Sequence, residues 1–222
     1  TGRENNCTAN DVNLGILINN KDVTCNPGDM VTLDLTAHLE ATSAERWDIG
    51  IFVATDGGAA RTGSCARDYL NPVSEDNSDY DPISGFGPFY NGEISQWPLD
   101  VCGDLEQGVT TYYDLQQTVT VPCLDSNGDG LLDIGSCVSW DNAVSDGSAN
   151  KPNCTGLEDT APSTKAKCRC DYVTVGNVVV PKVLEVRKTL VPSTDGGSFD
   201  LQIDGATAGT GGNVGDGGTT GK

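Results

Sequence analysis

Val31-Thr32-Leu33-Asp34-Leu35-Thr36-Ala37-His38-Leu39 decides the fold class. Val31, Leu33, Leu35, Ala37 and Leu39 alternate with polar residues, the period-two pattern of a half-buried strand. The turn signal Asn26-Pro27-Gly28-Asp29 stands before it. Upstream, Leu14, Ile16 and Ile18 form a short face that ends at the turn Asn19-Asn20-Lys21-Asp22. Downstream, Trp47, Ile49, Ile51 and Val53 repeat the alternation, closed by Asp56-Gly57-Gly58. Leu115, Gln117, Val119 and Val121 predict a further strand, followed by the short Cys137–Trp140. Tyr172, Thr174 and Val178–Val180 predict one ending at Pro181. No segment sustains helical periodicity, and the early turns recur near the spacing of a sandwich. The expectation is an all-β, disulfide-stapled β-sandwich with long loops over residues 1–181.

Residues 56–110 break this rhythm. They are rich in Gly, Pro, Asn, Asp and Ser, with scattered aromatics (Tyr80, Phe86, Phe89, Tyr90, Trp97). So long an aperiodic stretch predicts an ordered excursion, with Cys65–Cys102 as one available pin. Its aromatics form either a small secondary core or a contact surface.

The 222 residues carry 32 acidic against 13 basic side chains, a net charge of −19, which argues against nucleic acid and anionic membranes as partners. Of the acids, 24 are Asp and 8 are Glu, a bias toward turns and cation loops and away from helices. A salt-adapted surface is the alternative source of that acidity. No apolar run reaches the length of a membrane helix, so membrane insertion is not expected. Beginning at Thr1-Gly2-Arg3, without an initiating Met or a leader, the chain reads as a processed product.

Nine cysteines (Cys7, Cys25, Cys65, Cys102, Cys123, Cys137, Cys154, Cys168, Cys170) predict disulfides and an extracellular or cell-surface setting. Their spacing lacks the paired C-x2-C of zinc sites. The number is odd, so one lies outside any set of intrachain pairs, and sequence does not fix the pairing. Asn6-Cys7-Thr8 and Asn153-Cys154-Thr155 are formal glycosylation sequons at Asn6 and Asn153.

Between Cys123 and Cys137 lies Asp125-Ser126-Asn127-Gly128-Asp129-Gly130-Leu131-Leu132-Asp133. Oxygen donors at alternate positions around a glycine turn suit a hard cation, so Asp125, Asn127, Asp129, the Leu131 carbonyl and Asp133 are expected to bind a structural calcium. The loop follows most of an EF-hand pattern, but Ser136 replaces the twelfth-position Glu and the flanks read as strands. Acids from elsewhere would have to complete the shell: Asp100, Asp104, Asp141 or Asp159, with Asp48 and Asp56 more remote. An Asx-rich turn without a cation is the alternative. A Cys123–Cys137 bond would close the loop on itself.

Residues 182–222 change character. Val183–Val191 predicts a long strand, Pro192–Gly197 a turn, and Phe199, Leu201 and Ile203 a second strand. The Gly-rich run from Gly205 cannot form a core alone. This end is expected to be a two-strand arm packing on a neighbouring copy, or part of a second small β domain.

The run Val183–Asp204, with Lys188 followed by Pro192 and Asp195-Gly196-Gly197-Ser198-Phe199-Asp200-Leu201, resembles the opening of a prealbumin-like β domain of bacterial surface adhesins and pilins. Cys123–Asp133, Ile134–Trp140 and Lys167-Cys168-Arg169-Cys170 are similar to the cysteine-rich segment of large secreted repeat proteins. Both resemblances imply a structural or adhesive surface role. The first also implies that Lys188 stands where some such domains form an isopeptide bond to a last-strand asparagine; an ordinary solvated lysine is the alternative.

Catalytic motifs are sparse. His38, the one histidine, has no HExxH partner, and no G-x-S-x-G, P-loop or dinucleotide pattern occurs. The expected function is therefore non-enzymatic: a subunit of an extracellular filament or surface assembly, polymerising head-to-tail with copies of itself. Strand addition from the C-terminal arm would join the copies. The alternative is a calcium-dependent adhesin or carbohydrate-binding module that stacks surface glycans on Tyr90 and Trp97.

Overall fold

The computed structural model describes residues 7–18, 23–148, 152–160, 167–182 and 184–221. The chain divides into two compact units, Thr1–Pro181 and Lys182–Lys222.

The first unit is built from ten strands: β1 (Val12–Ile18), β2 (Val23–Thr24), β3 (Met30–Leu33), β4 (Leu35–Ala41), β5 (Trp47–Ala54), β6 (Cys65–Tyr69), β7 (Thr110–Asp114), β8 (Val119–Pro122), β9 (Leu131–Asp141) and β10 (Lys167–Val179). One sheet has the order β2-β10-β9-β5-β6, a second β1-β4-β7, and β3 pairs with β8. Apart from the parallel β2–β10 contact, the pairs of this unit are antiparallel. The two larger sheets share one core. Val12, Ile16, Leu35, Leu39 and Tyr113 on one side meet Ile49, Ile51, Leu132, Val138 and Val175 on the other. This is the disulfide-stapled all-β fold that the alternating runs predict.

The run Val31–Leu39 does not stay in one sheet. It breaks at Asp34: β3 pairs with β8, while β4 runs between β1 and β7. A strand that changes sheets at a bend makes a corner, and the alternation survives because both halves face the common core. The strand expected over Leu115–Val121 is likewise only partly formed. β8 holds Val119–Pro122, and β7 ends before it, at Asp114.

β5 and β9 are buried on both faces. Their second face is covered by the 56–64 loop, where Phe52, Ala54, Ala60 and Cys137 form a small core of their own. The approach is tight. A Cβ on Gly135 would meet the Gly58 carbonyl oxygen well inside contact distance, so only glycine fits there. The excursion's aromatics divide. Phe89 enters the main core edge-on to Tyr113, Tyr80 and Tyr90 pair half-buried, and exposed Phe86 stacks on Tyr112.

Four disulfides tie the unit: Cys7–Cys168, Cys25–Cys123, Cys102–Cys154 and Cys137–Cys170. Neither Cys123–Cys137 nor Cys65–Cys102 forms. The Asp133 N–H donates to the Leu124 carbonyl, so Cys137, four residues farther along extended β9, lies about 13 Å beyond, out of reach of Cys123. Cys137 instead faces Cys170 directly across the β9–β10 ladder. Cys65, half-buried at the start of β6, stands outside the four bonds.

Among the described residues of the second unit, regular strands are limited to β11 (Gln202–Ile203) and β12 (Ala206–Thr207), an antiparallel pair. The long strand expected over Val183–Val191 does not form among the described residues. Those residues pair irregularly with the Gly-rich run, Lys188 N–H to Gly218 O at 2.8 Å and Thr220 N–H to Val186 O at 3.0 Å. A second contact joins Phe199 to Val214. Glycine on one side supplies hydrogen bonds but no side chains to pack, which keeps the ladder short.

Candidate metal centre

β8 delivers the chain into the Asp125 loop, and β9 leaves it at Leu131. The donors turn inward onto the loop's own backbone. Asp125 Oδ1 accepts the N–H groups of Gly128 (2.7 Å) and Asp129 (3.0 Å), and its Oδ2 accepts that of Gly130 (3.0 Å). Asn127 Oδ1 accepts Asp129 N–H and Asp129 Oδ1 accepts Leu131 N–H, both at 2.8 Å. Asp133 closes the loop from the far side, accepting Ser126 N–H at 2.8 Å and the Thr174 hydroxyl at 2.8 Å. Gly128 and Gly130 adopt φ of 79° and 88°, which glycine takes at no steric cost. The arrangement is a chain of Asx turns, and the Asp125, Asn127 and Asp129 oxygens keep spare lone pairs for a cation.

The acids expected to complete this shell are engaged elsewhere. Asp159 accepts Thr155 N–H, and Asp56 accepts Gly58 and Ser64 N–H. Those two backbone bonds hold the Asp56 carboxyl below its usual range. Asp48 and Asp141 sit at the opposite end of β9, where Trp47 pairs with Asp141. Ten strand steps separate Asp141 from Leu131, about 33 Å of extended chain.

At that far end a different set of acids converges. Asp48, Glu93, Asp100 and Asp104 are 5%, 1%, 3% and 1% exposed. Oxygens of Asp48, Glu93 and Asp100 lie within 4.8 Å of one another. Burial, with neighbouring carboxylates adding to it, pushes Asp48 up to about 10. Burial pushes Glu93 up to about 7 and raises Asp100 and Asp104. Among the described residues, no Lys or Arg forms an ion pair with any of the four. Sequence reasoning had Asp48, Asp100 and Asp104 as candidates for the wrong loop, and missed Glu93. A usable signal was a lone Asp inside the apolar run of β5, with a second acid pair flanking Cys102.

The remaining candidates separate cleanly. The Lys188 amine lies 4.5 Å over the Phe199 ring, a cation–π contact. Asn153 is half-buried with Oδ1 shielded from solvent, and Asn6 lies outside the described residues. Tyr90 is half-buried, packs tilted against Tyr80 and donates its hydroxyl to Glu45. Exposed Phe86 stacks on Tyr112, rings 5.3 Å apart, and the two line a shallow cleft with Pro72, Pro88 and Asp114.

No family model matches the sequence, and no curated protein matches it either. Several disulfides fit a secreted or extracellular protein. No described helix is long and apolar enough to cross a membrane.

Proposed function

We propose that the protein is a structural subunit of an extracellular filament or surface layer, growing head-to-tail as the Lys182–Lys222 unit adds a strand to the next copy. One observation carries the reading. Among the described residues of that unit, Leu190 is the one buried apolar side chain, while Leu184, Val191 and Phe199 are 64%, 92% and 43% exposed. A unit of this size with so little core is not self-sufficient, and added strand pairing satisfies an open edge while covering apolar surface. The disulfide-tied sandwich is the rigid body, and calcium on the Asp125 loop is an additional clamp. No catalytic step is assigned to it.

Electron microscopy of the purified full chain tests this. Filaments with an axial repeat near one subunit are expected, and deleting residues 182–222 should leave only single folded particles. Monodisperse full-length protein at high concentration refutes the reading.

The Phe86–Tyr112 cleft favours a second reading, a glycan-binding surface module, because an exposed aromatic face beside an Asp suits sugar stacking. Glycan binding by monodisperse protein, lost on Phe86→Ala, distinguishes it from the first.

A further inference from the structure

The acids at the far end of β9 are built rather than scattered. β5 carries a register shift between Trp47 and Gly50, and within it Asp48 takes φ of 56°. A bulge of this kind re-aims a side chain, and here it accompanies a carboxylate buried in the interior. Asp104 fixes that bulge by accepting Asp48 N–H at 3.0 Å on one oxygen and Gly92 N–H at 2.7 Å on the other. Asp100 accepts Cys154 N–H at 2.8 Å, so the Cys102–Cys154 bond sets its position. Glu93 accepts Ser145 N–H, and Ser145 Oγ donates to Asp48 Oδ2 at 3.4 Å.

Two oxygens in this shell have no partner: Asp48 Oδ1 and Glu93 Oε2, both fully shielded from solvent. Buried polar atoms are almost always paired, and buried charge needs an opposite charge. A proton shared between the Glu93 and Asp100 carboxyls would ease the repulsion between that pair, but it leaves Asp48 Oδ1 orphaned. A cation answers both needs at once.

The donors say which cation. All are hard oxygens, and the nearby sulfurs of Cys102 and Cys154 are bonded to each other, which removes the thiolates a soft metal would choose. Oxygens around one calcium lie no farther apart than twice the metal–oxygen distance, about 4.8 Å. The Asp48, Glu93 and Asp100 oxygens meet that limit. Magnesium demands a smaller octahedron and keeps most of its waters, which a dry site of this kind opposes.

We propose that Asp48, Glu93 and Asp100 bind a single calcium ion, with Asp104 as the residue that positions Asp48. The ion joins β5, the 70–108 excursion and the Ser145 turn at one point. It does not depend on assembly, nor on the Asp125 loop at the other end of β9.

The test uses full-length protein with the loop disabled by Asp125→Asn and Asp129→Asn, stripped with EDTA and dialysed against radioactive calcium. One calcium per chain should be retained, and Asp48→Asn with Glu93→Gln should abolish it. The quadruple variant, relieved of carboxylate repulsion, should melt above the chelated loop-disabled parent. Retention of no calcium by the loop-disabled protein, or undiminished retention after Asp48→Asn and Glu93→Gln, overturns the proposal. Should those substitutions prevent folding, terbium bound to the loop-disabled protein decides. Trp47 adjoins Asp48, so emission excited through tryptophan should appear and be displaced by calcium well before magnesium. Absent emission, or equal displacement by magnesium, overturns it.

Discussion

Replacing Cys25 and Cys123 together with alanine opens a covalent ring rather than a simple loop. Three of the disulfides are linked in series: Cys7–Cys168, Cys168 to Cys170, Cys170–Cys137, Cys137 to Cys123, Cys123–Cys25, and Cys25 back to Cys7. The backbone in that circuit is about 34 residues, so the chain-entropy relation gives about 3.8 kcal/mol for opening it at any one bond. Taken alone, the separation of 98 between Cys25 and Cys123 would give about 4.7 kcal/mol, and the 161 of Cys7–Cys168 about 5 kcal/mol. Once Cys25–Cys123 is gone, the shortest remaining circuit for Cys7–Cys168 runs through Cys102–Cys154 and holds about 110 residues, so its loss then costs about 4.8 kcal/mol. The two pairs are therefore coupled: each double alanine variant loses about 3.8 kcal/mol, while the variant lacking both loses about 8.6 kcal/mol, about 1 kcal/mol beyond additivity. Urea unfolding of all four proteins, in an osmolyte that keeps the doubly opened variant folded, reads these differences. Strict additivity, or a loss that scales with each pair's own separation, would refute the ring.

Leu132→Ala, at a fully buried core position, should lower unfolding free energy by about 2–5 kcal/mol in the same assay; a loss under 1 kcal/mol would mean that the site collapses freely. Gly135→Ala should cost about 1–3 kcal/mol, because the Gly58 carbonyl opposite is backbone and cannot swing away; a neutral result would show the 56–64 loop to be loosely seated. Tyr113→Phe removes the hydroxyl that donates to Asp68 Oδ1 at 2.8 Å, and should cost about 1–2 kcal/mol while leaving the Gln116 N–H on the other oxygen. The Asp56 carboxyl titrates below its unfolded value, so the stability it contributes is present above the usual carboxylate range and is lost as pH falls through the folded value. Thermal melts should thus show Asp56→Asn destabilised near neutrality and converging with the parent at low pH; a pH-independent offset would contradict that sign.

The strands legible in the sequence are those with one face on the shared core. β1, β4 and β5 follow their alternation because each inward residue meets the opposing sheet. β10 is also near its expected span. β6 and β7 were missed for the opposite reason. Cys65–Tyr69 and Thr110–Asp114 are edge strands whose side chains are mixed in polarity, and the pairing partner of β7 is distant in sequence. β9 was legible only at Cys137–Trp140, since burial on both faces replaces alternation with a continuous run. Disulfide pairing was not legible, because it follows strand register, as Cys137 opposite Cys170 shows. The Asp125 loop is local and could be read. The buried acids come from β5, the excursion around Glu93 and the flanks of Cys102, and only the fold brings them together.

The Cys7–Cys168 bond also sets how the first unit answers tension. A pull between Cys7 and Pro181 passes into β10 alone, because the bond shunts it past the other strands across a Cα–Cα gap of 4.5 Å. Only the thirteen residues from Cys168 to Pro181 can then be drawn out, about 45 Å when taut. Without the bond, the path would run from Cys7 to Cys25, from Cys123 to Cys137 and from Cys170 to Pro181, and the remaining disulfides would limit the added slack to about 100 Å. The load is therefore confined to β10: the rest of the sandwich is bypassed by its own tether and can be stretched between those two points only slightly.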